Sequence, residues 1–301
     1  MRKTALLSVI VCTHDRVAEL TRCLGALAAL EDAVEVIVVD SASTPAAASQ
    51  PGVVAAVDRL LSGSIVRVEE PGLSRARNVG TAAATCEIVA FIDDDAFVRP
   101  DWARRIAAGF SNGDVACVGG SCEPIFESSR PSWLSDRLLQ FAGATRLGTV
   151  PRAVTGSRDY PFGANVAFRR DDLLAMGGFD EALGRMGSSL LSGEESAVMD
   201  RLIATGKTVW LQPDAAVDHL IQERRTESSW YWSRMWWAGV GRARVQSGTG
   251  TFLRISAAAP VRAVAWAGTR DRVYLYRLAE TAGYIAERVR GLRGSLTVGR
   301  R

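Results

Sequence analysis

Three consecutive aspartates, Asp93, Asp94 and Asp95, stand directly after an apolar run at residues 88–92. Carboxylates crowded at the end of a buried strand repel one another unless a cation lies between them. A hard divalent ion, bound by one or two carboxylates and the oxygens of a diphosphate, would relieve this repulsion. The D-x-D spacing lets the outer two side chains point the same way. The alternative is a solvated acidic turn that caps a helix beginning near Pro100.

The elements around this triplet follow a strand-helix-strand order. Short β-branched runs that end in polar residues are typical of buried parallel strands, and segments rich in Ala, Leu and Arg separate them. We predict strands at residues 6–12, 34–40, 65–68 and 87–92, and helices at residues 17–30, 46–61 and 74–84. Such an order predicts a doubly wound sheet, which binds its ligands at the carboxyl ends of the strands.

The later half of the chain is less regular. Weak periodicity and scattered Gly, Pro and Ser at residues 121–159 predict a long excursion with a short helix at 133–141. Regular pattern returns in a strand at 165–168, a helix at 194–205 and a strand at 208–211. Residues 229–245 and 261–289 then predict two further helices, rich in Ala, Arg and aromatic residues.

Composition excludes several classes of protein. With 301 residues, 48% of them hydrophobic and 23% charged, the chain is neither disordered, collagen-like nor stapled by disulfides. Its five cysteines include no C-x-x-C pair, which favours reduced thiols. The apolar segment near the start is too short for a secretion signal and has no cleavage site, so we predict a buried first strand. The expected location is cytoplasmic, or peripheral on the inner face of the membrane.

Charge is distributed unevenly along the chain. The net charge of +3 is too small to indicate nucleic-acid binding. Residues 221–301, however, contain 15 arginines, no lysine and five acidic residues, a net charge of +10, whereas residues 1–220 carry −7. A basic C-terminal arm therefore follows an acidic body, and the expected partner of the arm is an anionic membrane surface, with packing on the body as the alternative.

Several motifs occur together in a fixed order. The early ones are Ser8–Arg16, Val38–Ser41, Gly72–Gly80 and Phe91–Asp95; the later ones are Gly163–Asn165, Gly177–Glu181 and Gly193–Glu195. Over about residues 5–220 this set resembles the family 2 glycosyltransferases. The resemblance implies an α/β GT-A fold, a Rossmann-like, mostly parallel sheet flanked by helices, with a C-terminal helical arm. It divides the chain into a nucleotide-sugar-binding half (1–120), an acceptor and catalytic half (121–220) and the arm (221–301).

The resemblance assigns roles on the donor side. In the family, the Thr after the first strand and the Asp after the second hold the ribose and base of a nucleotide, which implies these roles for Thr13 and Asp40. Helix capping is the alternative for both. His14 and Arg16 lie in the first loop and are expected to contact the nucleotide as well, with an ordinary loop residue as the alternative for His14.

A second donor-side group includes Arg75, Arg77 and Asn78, in the segment that reaches the nucleotide in relatives. An arginine fork matches a phosphate or a base edge, although either arginine could be a surface charge. In the triplet, the family pattern assigns Asp93 to the ribose and Asp95 to the metal, with Asp94 beside them as a further donor-side residue.

Catalysis is assigned to an acidic pair. The family usually has Glu-Asp at the start of a helix, and this chain has Glu194-Glu195, one methylene longer at the second position. Glu195 is the expected base, with Glu194 as the second candidate; a glutamate that complements the helix dipole is the alternative. His219 completes the metal site in some relatives, although a lone histidine is often structural. The motif Gly163-Ala164-Asn165 is assigned to the acceptor side.

The resulting prediction is an inverting glycosyltransferase that uses Mg²⁺ or Mn²⁺. Its donor would be a nucleotide-diphosphate sugar of the UDP, GDP or dTDP type, and its acceptor a glycan, a lipid-linked glycan or a small molecule. A nucleotidyltransferase would also need carboxylates, a divalent ion and a nucleotide, but it would have no use for the block at residues 163–195. The third hypothesis is a nucleotide-sugar-binding protein without catalysis.

Overall fold

A computed structural model describes residues 4–145, 147–187, 189–246 and 248–298. The strands are β1 (Ser8–Thr13), β2 (Glu35–Ser41), β3 (Gly63–Val68), β4 (Ile88–Asp93), β5 (Ala96–Val98), β6 (Val115–Phe126), β7 (Arg152–Ala153), β8 (Asn165–Arg169) and β9 (Thr208–Ile221). The helices are α1 (Val17–Ala28), α2 (Pro51–Val57), α3 (Leu73–Ala83), α4 (Trp102–Gly109), α5 (Asp136–Leu139), α6 (Arg170–Ala175), α7 (Glu194–Ala204), α8 (Ser228–Val245), α9 (Thr249–Thr269) and α10 (Arg272–Val298).

The first half of the sheet is parallel and has the order β3-β2-β1-β4. The strands β1, β2 and β4 are largely buried, apolar, β-branched runs, as the sequence predicts, whereas β3, at the edge of the sheet, is largely exposed or half-buried. In the register of these strands, Thr13 lies opposite Asp40, and Cys12 lies opposite Asp93. Because the strands end in step, Thr13, Asp40 and Asp93 come to the same edge of the sheet.

The second half of the sheet continues in the order β8-β6-β9-β5, in which β8 is antiparallel to both β4 and β6, and β5 is antiparallel to β9. The sheet is therefore mixed, and its parallel part covers only the first four strands. Two long strands differ from the prediction: β6 runs to Phe126, into the expected excursion, and β9 runs to Ile221 instead of ending at residue 211. The glycines of β6 are not typical of a strand, so the sequence did not predict the strand there. Glycine is nevertheless required at position 120, because a Cβ on Gly120 would lie 1.8 Å from the Ala215 carbonyl oxygen.

Two predicted helices are also divided. The helix expected at residues 46–61 is a 3-10 turn (Ala47–Ser49) followed by α2, which begins at Pro51. Proline is favoured at the first position of a helix and disfavoured inside one. The prediction of one uninterrupted helix at residues 261–289 is also wrong. The segment contains the end of α9 and most of α10, and between them Arg270 adopts a left-handed conformation with φ of 57°.

The described chain forms two compact units. The first comprises the described residues up to Ile125, together with Gly143–Ala182 and Glu194–Leu220. The second comprises Phe126–Ala142, Leu183–Gly193 and the described residues from Ile221 onward. The domain boundaries proposed from the sequence at residues 120 and 220 stay a prediction. All five cysteines are free thiols.

The second unit is built on close contact between α8 and α10. A Cβ on Gly239 would lie 1.9 Å from the Glu280 carbonyl oxygen, and one on Gly283 would lie 2.2 Å from the Trp236 carbonyl oxygen. The two helix backbones therefore touch through glycines on both sides. Within the described residues, none of the helices is both long enough and apolar enough to cross a membrane.

Candidate active site

A group of possible metal ligands forms where β4, β5 and β9 meet. Asp93 ends β4, and pairing of β5 with β9 places His219 opposite Ala96, next to Asp95. The Leu220 N–H donates to the Asp95 carbonyl oxygen at 2.8 Å, which fixes this register. The Asp95 Oδ1 and His219 Nε2 atoms lie 3.3 Å apart, and both side chains are buried.

One ligand atom each from Asp93, Asp95 and His219 lies within 4.8 Å of the other two. Two carboxylate oxygens and one imidazole nitrogen suit Mn²⁺, and the carboxylates also suit Mg²⁺. The donor set therefore fits the divalent ion that the sequence predicts. Asp93, which the resemblance assigned to the ribose, joins the same group as the two predicted metal ligands.

Arg16 and Thr13 hold the second and third aspartates of the triplet in place. The Arg16 guanidinium donates from Nη1 to Asp94 Oδ1 at 2.6 Å and from Nη2 to Asp95 Oδ2 at 2.8 Å. The Thr13 hydroxyl donates to Asp94 Oδ2 at 2.9 Å. Burial raises the pKa of the Asp94 carboxyl, and the charge of Arg16 opposes that shift. Both residues, predicted to contact a nucleotide, thus bind the acidic triplet in this structure.

Arg77 connects the metal-ligand group with the acidic pair of α7. Its Nη1 lies 2.7 Å from Glu195 Oε1 and 3.1 Å from Glu194 Oε1, and its Nη2 lies 3.6 Å from Asp93 Oδ1. Burial alone would lower the pKa of Arg77, but Glu195, Glu194 and Asp93 raise it above its ordinary value. One buried cation therefore joins three carboxylates. The ring of Phe179 lies 5.5 Å from the guanidinium carbon and completes its surroundings.

The two glutamates differ in access to solvent. The Glu194 side chain is 2% exposed and that of Glu195 is 16% exposed, so Glu195 is the more accessible carboxylate. Gly163 lies against both the base candidate and Arg77: a Cβ there would be 1.8 Å from Glu195 Oε1 and 2.4 Å from Arg77 Nη2. A side chain at this position would force Glu195 or Arg77 to move, so the glycine of the acceptor-side motif preserves the contact between them.

Other residues of that motif are buried in the sheet. Asn165 donates from Nδ2 to the carbonyl oxygens of Ser121 and Ala215 at 3.0 and 2.8 Å, and its Oδ1 accepts the Trp102 indole N–H at 3.0 Å. These bonds tie β8 to β6, β9 and α4. Ala164 is buried beside it. Asn165 therefore has a structural role, and Gly163 is the member of the motif that lies against the acidic pair.

Asp40 binds the protein's own backbone at the end of β2. Its carboxylate accepts the N–H groups of Ser43 and Ala47 at 2.9 and 2.8 Å, and Arg67 Nη1 donates to it at 2.8 Å. Although burial raises the pKa of Asp40, these hydrogen bonds lower it below its ordinary value. Asp40 thus holds the loop after β2 in place; it accepts the first N–H of the 3-10 turn, but the residue at the N-cap position is Ala46, and the contact of Asp40 with a nucleotide stays a prediction. His14, nearby and half-exposed, lies with Nδ1 2.6 Å from the Ser41 carbonyl oxygen.

Arg75 and Asn78 lie outside this charged network. Arg75 is exposed, and it pairs with Glu70 and with Glu181 Oε2, the latter at 2.9 Å. Asn78 donates to the Phe179 carbonyl oxygen at 2.9 Å and accepts the Phe179 N–H at 2.8 Å. Asn78 therefore holds the loop after α6 in place, and Arg75 fits the alternative of a surface charge.

Two residues of the site were not identified from the sequence. Arg67 is one of them. The sequence indicated it as an arginine within an otherwise apolar predicted strand, and in the parallel register it lies directly opposite Asp40. Cys12 is the other. Burial raises the pKa of Cys12 to about 12, and the charge of Arg77 opposes this increase only in part. The side chain is therefore a neutral thiol that projects from β1 beside the charged network. No signal in the sequence distinguished it from the other apolar residues of β1.

Comparison with known proteins identifies related sequences. The model of the family described as Glycosyl transferase family 2 matches residues 8–176. A glucosyl-dolichyl phosphate glucuronosyltransferase of Haloferax volcanii is 31% identical over 176 residues, which cover 58% of this chain and 56% of that protein. The succinoglycan biosynthesis protein ExoM of Rhizobium meliloti is 26% identical over 249 residues, covering 81% and 76%. The match thus spans little more than half of the first relative's length.

Solved structures share the fold. The mannosyltransferase PcManGT from Pyrobaculum calidifontis, in complex with GDP-Man and Mn²⁺, is 20% identical with a TM-score of 0.60, covering 95% of this chain and 86% of that one. TarS of S. aureus is 18% identical with a TM-score of 0.53, covering 78% and 39%. At these identities the likeness concerns the fold alone, and it confirms the predicted fold class.

Proposed function

This chain belongs to glycosyl transferase family 2, and from that membership we propose that it transfers a sugar, with inversion, from a nucleotide-diphosphate donor to an acceptor hydroxyl. The observation that carries the proposal is the buried network in which Arg77 joins the acidic pair of α7 to Asp93. A candidate base and a candidate metal site are thereby held by one side chain. Sugar transfer needs both functions close together, because the attacking and leaving oxygens bind to the same carbon.

The proposed metal ligands are Asp95, His219 and Asp93. Their oxygen and nitrogen donors support Mn²⁺ or Mg²⁺, and Arg16 orients Asp95 by binding its other oxygen. When bound, such an ion stabilises the negative charge that develops on a leaving diphosphate.

The proposed base is Glu195. It is the more exposed member of the pair, and Arg77 Nη1, 2.7 Å from its Oε1, holds the carboxylate in place. Glu195 accepts the proton of the acceptor hydroxyl while the acceptor oxygen bonds to the anomeric carbon. The bond from that carbon to the diphosphate oxygen breaks on the opposite face, so one displacement inverts the carbon. The departing nucleoside diphosphate keeps the electron pair of the broken bond.

The proposed donor lies at the edge of the sheet where Thr13, Asp40 and Asp93 line up, with His14 in the adjoining loop. A UDP-, GDP- or dTDP-sugar would bind there, at the carboxyl ends of the strands. The proposed acceptor is a glycan or lipid-linked glycan, which the names of the first two relatives support. Contact of residues 221–301 with an anionic membrane belongs to the same proposal, supported by their net charge of +10.

Identification of the released product tests the proposal. The chain is incubated with a panel of UDP-, GDP- and dTDP-sugars, Mn²⁺ and candidate acceptors, and the nucleotide product is separated by chromatography. We expect a nucleoside diphosphate and a product whose anomeric proton shows inversion by NMR. Release of pyrophosphate would indicate a nucleotidyltransferase instead. Donor binding with no release across the panel would favour a binding protein without catalysis.

A further inference from the structure

The outer face of α9 is apolar. Its most exposed large side chains are Leu253 at 62%, Val261 at 67% and Val264 at 73%. Ala257 and Pro260 are also exposed, and steps of three or four residues connect all five positions, from Leu253 through Ala257 to the adjacent Pro260 and Val261 and on to Val264. Since residues three, four and seven positions apart share one face of a helix, they form a continuous stripe, here called the α9 stripe.

The opposite face of α9 fixes this orientation. Ile255 packs with Ala243 and Tyr284, residues of α8 and α10. Arg262 also points inward, where its Nη1 donates to the Arg277 carbonyl oxygen at 2.9 Å. The helix thus directs an arginine toward its neighbours and valines toward solvent. This is the reverse of an ordinary surface helix, so the exposure of the stripe is built into the packing.

The charge around the stripe is positive. The sequence of α9 contains arginines and no acidic residue, and Arg254 lies exposed at the border of the stripe. Arg270, exposed at the end of the helix, has its guanidinium carbon 5.4 Å from the centre of the Trp266 ring. An apolar stripe with flanking arginines and a tryptophan is the composition of helices that lie in the surface of a bilayer.

We propose that the α9 stripe docks in the headgroup region of a membrane that contains anionic lipid, with Leu253, Val261 and Val264 inserted toward the acyl chains. Charge complementarity favours this partner over a second copy of the chain, because two α9 stripes face to face would bring arginines together with no acidic residue of α9 between them. The inference deepens the membrane contact proposed above, by naming its surface, and does not depend on sugar transfer.

Flotation of the full chain with lipid vesicles tests this surface. The vesicles contain phosphatidylcholine alone or phosphatidylcholine with phosphatidylglycerol, at low salt and without donor. We expect the wild-type chain to float with the anionic vesicles. Val261→Asp and Val264→Asp together should lower the partition coefficient at least about tenfold, because burial of even one valine is worth that much. Arg254→Gln should lower it about fivefold, and only with the anionic vesicles.

Leu61→Asp is the matched control, because Leu61 is 83% exposed and lies in the first unit. It adds one negative charge at an exposed apolar position outside the second unit, and it should float like the wild type. Circular dichroism melting confirms that each variant is folded. Equal flotation of the valine variant and the wild type would overturn the proposal, as would a wild-type chain that fails to float. A dimer that only the valine substitutions dissociate, without flotation, would instead assign the stripe to a second copy. Sugar transfer to a water-soluble acceptor, measured separately, distinguishes failure here from failure of the proposed function.

Discussion

Arg77→Met removes the cation that joins the acidic pair to Asp93. Methionine keeps a flexible, unbranched side chain and leaves no donor, so Glu194, 2% exposed, stays buried without that partner. Removing one member of a buried ion pair costs about 3–5 kcal/mol. The free energy of unfolding of a native domain is about 5–15 kcal/mol. The substitution should therefore remove a large fraction of the stability of the first unit.

The assay is equilibrium unfolding in urea, followed by circular dichroism. Arg75→Met is the matched control, since Arg75 lies two residues earlier in α3 and its ion pairs are exposed. Exposed pairs contribute about 0–1 kcal/mol, so this control should unfold close to the wild-type midpoint. Adding Glu194→Gln to Arg77→Met should recover about 1–2 kcal/mol, because one buried charge is then removed. If Arg77→Met unfolds within about 1 kcal/mol of Arg75→Met, the buried network does not stabilise the fold as argued.

Three further predictions concern the site. Glu195→Gln should lower turnover by roughly 10²-fold or more, while the donor affinity measured by calorimetry stays unchanged. A larger loss of turnover in Glu194→Gln would identify Glu194 as the base instead. Asp95→Ala should abolish Mn²⁺ binding measured by calorimetry, and excess EDTA should stop transfer by the wild type; normal transfer in EDTA would contradict the metal assignment. Gly163→Ala should reduce turnover and retain Mn²⁺ binding, because its Cβ would lie 1.8 Å from Glu195 Oε1. Gly113→Ala, with no atom within 4 Å of its Cβ, is the control and should be fully active.

The parallel half of the fold could be predicted because each of its buried strands is visible in the sequence as a short β-branched run. Parallel strands of similar length that begin at the same level of the sheet also end at the same level. The meeting of Thr13, Asp40 and Asp93 at one edge follows from that register. The position of Asp95 beside His219 depends instead on β5, a strand of three residues, and on β9, which contains Pro213. Neither strand has a pattern that predicts the pairing from sequence alone.

The sequence also could not show in which direction the arginine side chains of the site point. Arg16 and Arg77 were assigned to the nucleotide, and that assignment stays a prediction; their carboxylate partners within the protein were not identified. An arginine matches a phosphate and a carboxylate equally well, and the sequence does not state which of them lies within reach. Gly163 contributes to the contact of Arg77 with Glu195, because a Cβ there would lie 1.8 Å from Glu195 Oε1 and 2.4 Å from Arg77 Nη2.

The backbones of α8 and α10 touch directly through Gly239 and Gly283. The helix between them in the chain, α9, adds to this contact through its inward face, where Ile255 packs with residues of both helices. Within α9, only the inward positions such as Ile255 and Arg262 are constrained by packing. The outward positions can change from one homologue to another at little cost to folding. Substitutions confined to these outward positions would thus redirect the proposed docking to a different surface, while the first unit keeps its sequence.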